Sequence, residues 1–264
     1  MPFREAKRVL YKKNPLDRVI CQLRFPPILR IDAEIPAQFQ ERVRRQFPNF
    51  SEASEWKVQV PQALEGQIPP EVLRQFVQSS GNKNYEFSSE DGVWQINLTR
   101  TFVALATKKY ERWEEFKEKL QIPLEALSDV YSPDFFSRIG LRYTDIIKRS
   151  ALGLDDVEWS QLLRPYILGI LASPEVSDHV REFENRYEVG LSDGESVVRI
   201  VTTLIQPPDG DEICFMIDSD FYNSQKTEID SAMERLNYFN VRASRLIQWC
   251  ITERLHKAME PQVL

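Results

Sequence analysis

Glycine, histidine and cysteine are scarce in this chain, and each shortage removes a class of chemistry. Of 264 residues, nine are glycine, two are histidine and three are cysteine. The glycines form no GxGxxG, GxxxxGK or GxSxG pattern, so the usual dinucleotide, P-loop and α/β-hydrolase signatures are missing. His179 follows Asp178 in a polar connection and His256 falls in the last expected helix, so no HExxH pair exists. Cys21, Cys214 and Cys250 are far apart and odd in number, which leaves neither a CxxC half-site nor a disulfide framework. No metal and no cofactor are expected. No apolar run reaches the roughly 18 residues of a membrane span, and the first ten residues are basic, without an apolar signal core. The expectation is a cytoplasmic protein with no membrane association.

Charge, by contrast, is abundant. There are 34 Lys and Arg against 40 Asp and Glu, a net of −6, with a pI near 5.2. Residues 1–50 hold 11 basic and 5 acidic side chains, a net of +6, so the remainder sums to −12. The acidic balance disfavours nucleic acid as a partner, because neutralising phosphates needs a basic face. Arg18, Arg24, Arg30, Arg42, Arg44 and Arg45 nevertheless form a local basic set. They read either as solvated strand and helix positions or as a patch for a partner.

Periodicity organises the rest. Residues 1–13 read as a basic arm. Residues 19–25 alternate, with Val19, Cys21, Leu23 and Phe25 on one face and Ile20, Gln22 and Arg24 on the other. Pro36 opens a helix whose Phe39, Val43 and Phe47 form a stripe. A strand at 56–60 and a helical turn at 71–77 follow. Asp91-Gly92 joins two strands as a hairpin, another strand covers 101–107, and a helix from Arg112 carries Trp113, Phe116 and Leu120. Pro123 is expected to kink or split that helix. Similar elements then recur: a strand at 136–147, a helix at 159–171 reset by Pro165, a hairpin around Asp193-Gly194, and a strand at 213–221. The last helix is expected from a capping box at Thr227 and Asp230 to about Met259, roughly 32 residues and ~48 Å.

Leu23-Arg24-Phe25 and Leu141-Arg142-Tyr143 therefore occupy equivalent first strands, about 118 residues apart. The order predicts an α+β fold with an internally duplicated β-α-β(n)-α pattern: a first repeat over 14–131 and a second over 132–264 sharing one largely antiparallel curved sheet, helices on one face. It looks like the TATA-binding-protein-like and helix-grip arrangements. The alternative is two α+β domains joined near 131–137.

Asn14-Pro15-Leu16 with the run Val19-Ile20-Cys21-Gln22-Leu23-Arg24-Phe25-Pro26-Pro27-Ile28 resembles the opening motif of a sporadically distributed family of uncharacterised prokaryotic proteins. The ending, Ile251-Thr252-Glu253 with Leu255 and Met259, is similar to that family too. The resemblance implies no activity; scattered occurrence is compatible with an accessory role in mobile or defence-associated systems.

The residues themselves leave few candidates. Asp218 and Asp220 share a strand face by period two and could hold Mg²⁺, with Glu86, Glu184 or Glu188 as a third carboxylate; they read first as a solvated sheet face or as the partners of Arg24 and Arg142. Arg24 and Arg142, charged positions on central strands, need a carboxylate or solvent and are candidate binding residues with Arg42, Arg44 and Arg45. Trp56, Trp94, Tyr85 and Phe87 on strands read as core before they read as a nucleic-acid stacking platform. Cys21 reads as a small buried hydrophobe. The expected function is a non-catalytic protein-binding adaptor or regulator with a protein partner. The alternatives are a metal-dependent hydrolase using Asp218 and Asp220, or nucleic-acid binding by the basic N-terminal region.

Overall fold

The alternation over residues 19–25 and the matching pattern over 136–147 each give a strand with one largely apolar face, which belongs in the middle of a sheet. The structure, a computed structural model, describes residues 3–53, 83–207 and 210–263. The strand expected at 56–60 with Trp56, and the turn at 71–77, lie outside the described residues. In chain order the elements are β1 (Val9–Tyr11), β2 (Leu16–Arg24), α1 (Arg30–Ala33), α2 (Ala37–Val43), β3 (Asn49–Ala53), β4 (Asn84–Ser88), β5 (Trp94–Thr99), β6 (Phe102–Thr107) and α3 (Trp113–Tyr131). There follow β7 (Arg138–Ile147), α4 (Trp159–Leu162), α5 (Pro165–Leu168), β8 (Glu184–Gly190), β9 (Ser196–Ile205), β10 (Cys214–Asn223), α6 (Ala232–Cys250), α7 (Glu253–Ala258) and β11 (Pro261–Val263).

Antiparallel pairing builds one nine-stranded sheet in the order β3-β4-β5-β6-β2-β7-β10-β9-β8. The α+β class and the curved antiparallel sheet with helices on one side are as expected. Outward from the central β2–β7 seam, the strands run β2-β6-β5-β4 on one side and β7-β10-β9-β8 on the other, with β3 added at the first edge. At the seam Val19 faces Tyr143, Cys21 faces Leu141 and Leu23 faces Ile139, all buried. Both Asp-Gly hairpins form as the turn chemistry requires, with Gly92 and Gly194 at φ of 67° and 74°.

The helices pack on this seam's apolar face. Phe39 of α2 meets Phe87, Phe116 of α3 meets Trp94, Trp159 of α4 meets Phe215, and Phe239 of α6 meets Phe221. Tyr85, Phe87 and Trp94 are therefore core residues and not a stacking platform. No described helix is long and apolar enough to cross a membrane.

Three local expectations are corrected. The described part of the arm expected over 1–13 is tied down: β1 pairs with β11, and Phe3, 2% exposed, packs on Trp249. α3 runs unsplit through Pro123, whose ring is buried on the same stripe as Phe116, Leu120 and Leu127, so tertiary packing offsets the lost hydrogen bond. The last helix breaks at Ile251, which bridges Leu163. Thr252 then caps α7, accepting from Leu255 N while its hydroxyl donates to Gln161 O.

Since Leu141 is fully buried at the seam, Leu141→Ala should cost about 2–5 kcal/mol in urea unfolding. A loss under about 0.5 kcal/mol would show that the seam does not anchor the core.

Candidate functional site

Residues opposite each other in a ladder share a face, so the register defines a second, polar surface turned away from the helices. On the central strands it presents Arg18, Ile20, Gln22 and Arg24 of β2, then Arg138, Gly140, Arg142 and Thr144 of β7, then Asp218, Asp220 and Tyr222 of β10. Arg24 and Arg142 thus lie on one face at the middle of one sheet. Arg42, Arg44 and Arg45 do not join them. They are exposed on and just after α2, in the helix layer, where Arg42 pairs with Asp129 and Arg44 with Glu41.

Arg142, Arg138, Asp218 and Asp220 form the heart of this surface. Arg142 Nε donates to Asp218 Oδ1 at 2.6 Å, and Thr144 Oγ1 donates to the same oxygen at 3.0 Å. Burial works against the Arg142 charge, but the Asp218 carboxylate outweighs it and holds the guanidinium above its ordinary range. Arg138 Nη2 donates to Asp220 Oδ2 at 2.7 Å and lies over the Tyr222 ring at 4.8 Å. Gly140 makes room for it: a Cβ there would stand 2.4 Å from Arg138 Nη1. Further out, Arg199 pairs with Glu188 at 2.7 Å and Tyr222 donates to Glu188 Oε1.

Arg24 stands opposite Arg138 in the ladder. Burial, then the Arg138 charge, pull it below the ordinary guanidinium range, and Asp220 opposes them. Its Nε donates to Gln22 Oε1 at 3.0 Å, which fixes the amide's orientation and leaves the buried Gln22 Nε2 without an acceptor.

This geometry does not assemble a metal centre around the two aspartates. Each accepts from an arginine, Glu188 and Glu184 are taken by Arg199 and Arg186, and Glu86 accepts from Asn84 and Asn97. Among the described residues no three His, Cys, Asp or Glu gather as a metal would require. Cys21 is fully buried, and burial raises its thiol far from nucleophilic range.

Two residues escaped the sequence reading. Arg138 starts β7 on the polar face. Asp145 stands on the opposite, helix-facing side of β7 after Ile139, Leu141 and Tyr143, where period two already marks it as an inward carboxylate. Burial, with the Asp218 charge added, raises its pKa from 3.8 to about 7. Neither the family models nor the curated proteins contain a match to this chain.

Truncating one member of the buried pair leaves the other uncompensated, so Arg142→Ala should cost about 3–5 kcal/mol in urea unfolding. The double variant Arg142→Met with Asp218→Leu should recover most of it. A loss below about 1 kcal/mol for the single variant would mean that the pair behaves as a surface bridge.

For Asp145, the folded state keeps a proton that the unfolded chain releases. Stability conferred by that proton is therefore present at low pH and lost as pH rises through the window from about 4 to about 7. Relative to Asp145→Asn, wild type should lose about 4 kcal/mol across that window and nothing further above it. Parallel stability–pH curves for the two proteins would contradict this.

Proposed function

We propose that this chain is a non-catalytic protein-binding module whose polar sheet face receives carboxylate side chains of a partner protein. The observation that carries the reading is the concentration of arginine on the polar face at the middle of the sheet. Three arginines, Arg24, Arg138 and Arg142, stand against two aspartates, Asp218 and Asp220, while Arg18 is supported by its neighbour Asp17. Guanidinium groups concentrate on this face, and a planar carboxylate matches them in both charge and fork geometry. Half-buried arginine is also the cationic residue most enriched at protein interfaces. The remaining candidates for chemistry, Cys21 and the two aspartates, are each occupied structurally as described above.

The expected outcome is that wild type retains a protein at constant stoichiometry from native lysate, and that Arg24→Glu loses at least about tenfold of it with an unchanged melting temperature. A variant with Arg42, Arg44 and Arg45 changed to alanine should retain it, because that patch belongs to the other layer. Recovery of nucleic acid in place of protein, or equal retention by Arg24→Glu, would overturn the reading.

A further inference from the structure

A buried carboxylate needs either a counter-charge or its proton, and among the described residues Asp145 has no partner. It is 6% exposed, and no described residue donates a hydrogen bond to it or pairs with it. It lines a cavity of about 270 Å³ on the helix side of the sheet, between β7, β10, α6 and β1. The aromatic wall has already spent its own polar atoms. The Tyr143 and Tyr110 hydroxyls both donate to Asn240 Oδ1, at 3.0 and 3.3 Å, and Trp113 Nε1 donates to Asn237 Oδ1 at 2.7 Å. Ile217, Leu246 and Ile247 supply apolar lining, and Val241, 45% exposed, marks the side open to solvent.

The charged residues of the rim do not reach Asp145. Arg8 is held by both carboxylate oxygens of Glu114, at 2.7 and 2.8 Å, and Arg245 pairs with Glu5. Arg112 and Glu111 stand at the same rim with opposite charges. Glu111 pairs with Lys109, so among the described lining residues Asp145 is the carboxylate that no cation holds, in a largely aromatic and aliphatic chamber. Its complement has one cationic donor head and an apolar body, since ligand sites are mostly apolar with few polar groups setting orientation. Neighbouring rings favour a cation further.

We propose that this cavity binds a small organic monocation, an aromatic or alkyl primary amine, with its ammonium bonded to Asp145 and its body against Tyr143, Tyr110 and Leu246. The site lies on the opposite face of the sheet from Arg24 and does not depend on the protein-binding reading.

Phenethylamine and hexylamine are suitable probes, with 2-phenylethanol as the neutral isostere. At about 10 mM each amine should raise the melting temperature of wild type by a few degrees, and titration calorimetry should show one site. Binding should tighten about tenfold per pH unit from about pH 5 towards neutrality as Asp145 gives up its proton. Asp145→Asn should fold normally and lose at least about tenfold in affinity for the amines. Ser244→Phe, which fills the cavity and leaves Asp145 in place, should lose binding as well. No binding by either amine, equal binding to Asp145→Asn, or equal binding of the alcohol would each overturn the proposal.

Discussion

Everything in this fold hangs on the antiparallel seam between β2 and β7. Each half contributes one strand with a largely apolar face, and placing those strands side by side buries Val19, Cys21, Leu23, Ile139, Leu141 and Tyr143 in one contiguous layer. The helices then need only one surface to cover. Because side chains alternate, the same pairing commits Arg24, Arg138 and Arg142 to the other face. Neither half could keep its arginines in place if the register slipped by a single residue.

The polar face shows how a sheet centre accommodates charge. Guanidinium groups on β7 reach across to carboxylates on β10, each pair spanning adjacent strands, and Tyr222 carries the contacts on towards Arg199 and Glu188. Buried ion pairs of this kind contribute little net stability against an apolar alternative, yet removing one partner is costly. They therefore act on which register and which neighbours are tolerated more than on how stable the domain is. Arg24 extends this row on β2, standing opposite Arg138 in the ladder and donating to Gln22.

Much of this was legible in the residues. Alternation marked the strands of the seam, and Asp-Gly marked both hairpins. What failed did so through tertiary context. β3 is a short polar edge strand whose residues, Asn49 to Ala53, have no apolar period to betray it. Pro123 obeys the packing stripe of α3 and not its local propensity. The break at Ile251 depends on Leu163, 88 residues earlier by sequence number, which no local pattern can reveal. Arg142 was expected to need a carboxylate, and the strand order explains why Asp218 supplies it: β10 returns across the sheet to lie beside β7.

Asp145 and Asp218 bring these strands of argument together. Asp145 pairs in the ladder with Ile217, the residue before Asp218, so the two carboxylates lie on adjacent strands but on opposite faces. Asp218 is satisfied by Arg142 and Thr144. Asp145, equally buried, has only Asp218's repulsion and the loss of solvent, and both push it towards its protonated form. A core position of a central strand is where an unpartnered carboxylate is least tolerable energetically, and where leucine or valine would serve packing better. The sheet thus separates one carboxylate that completes the structure from another that the structure leaves open, and the cavity beneath β1 is the space into which the second one faces.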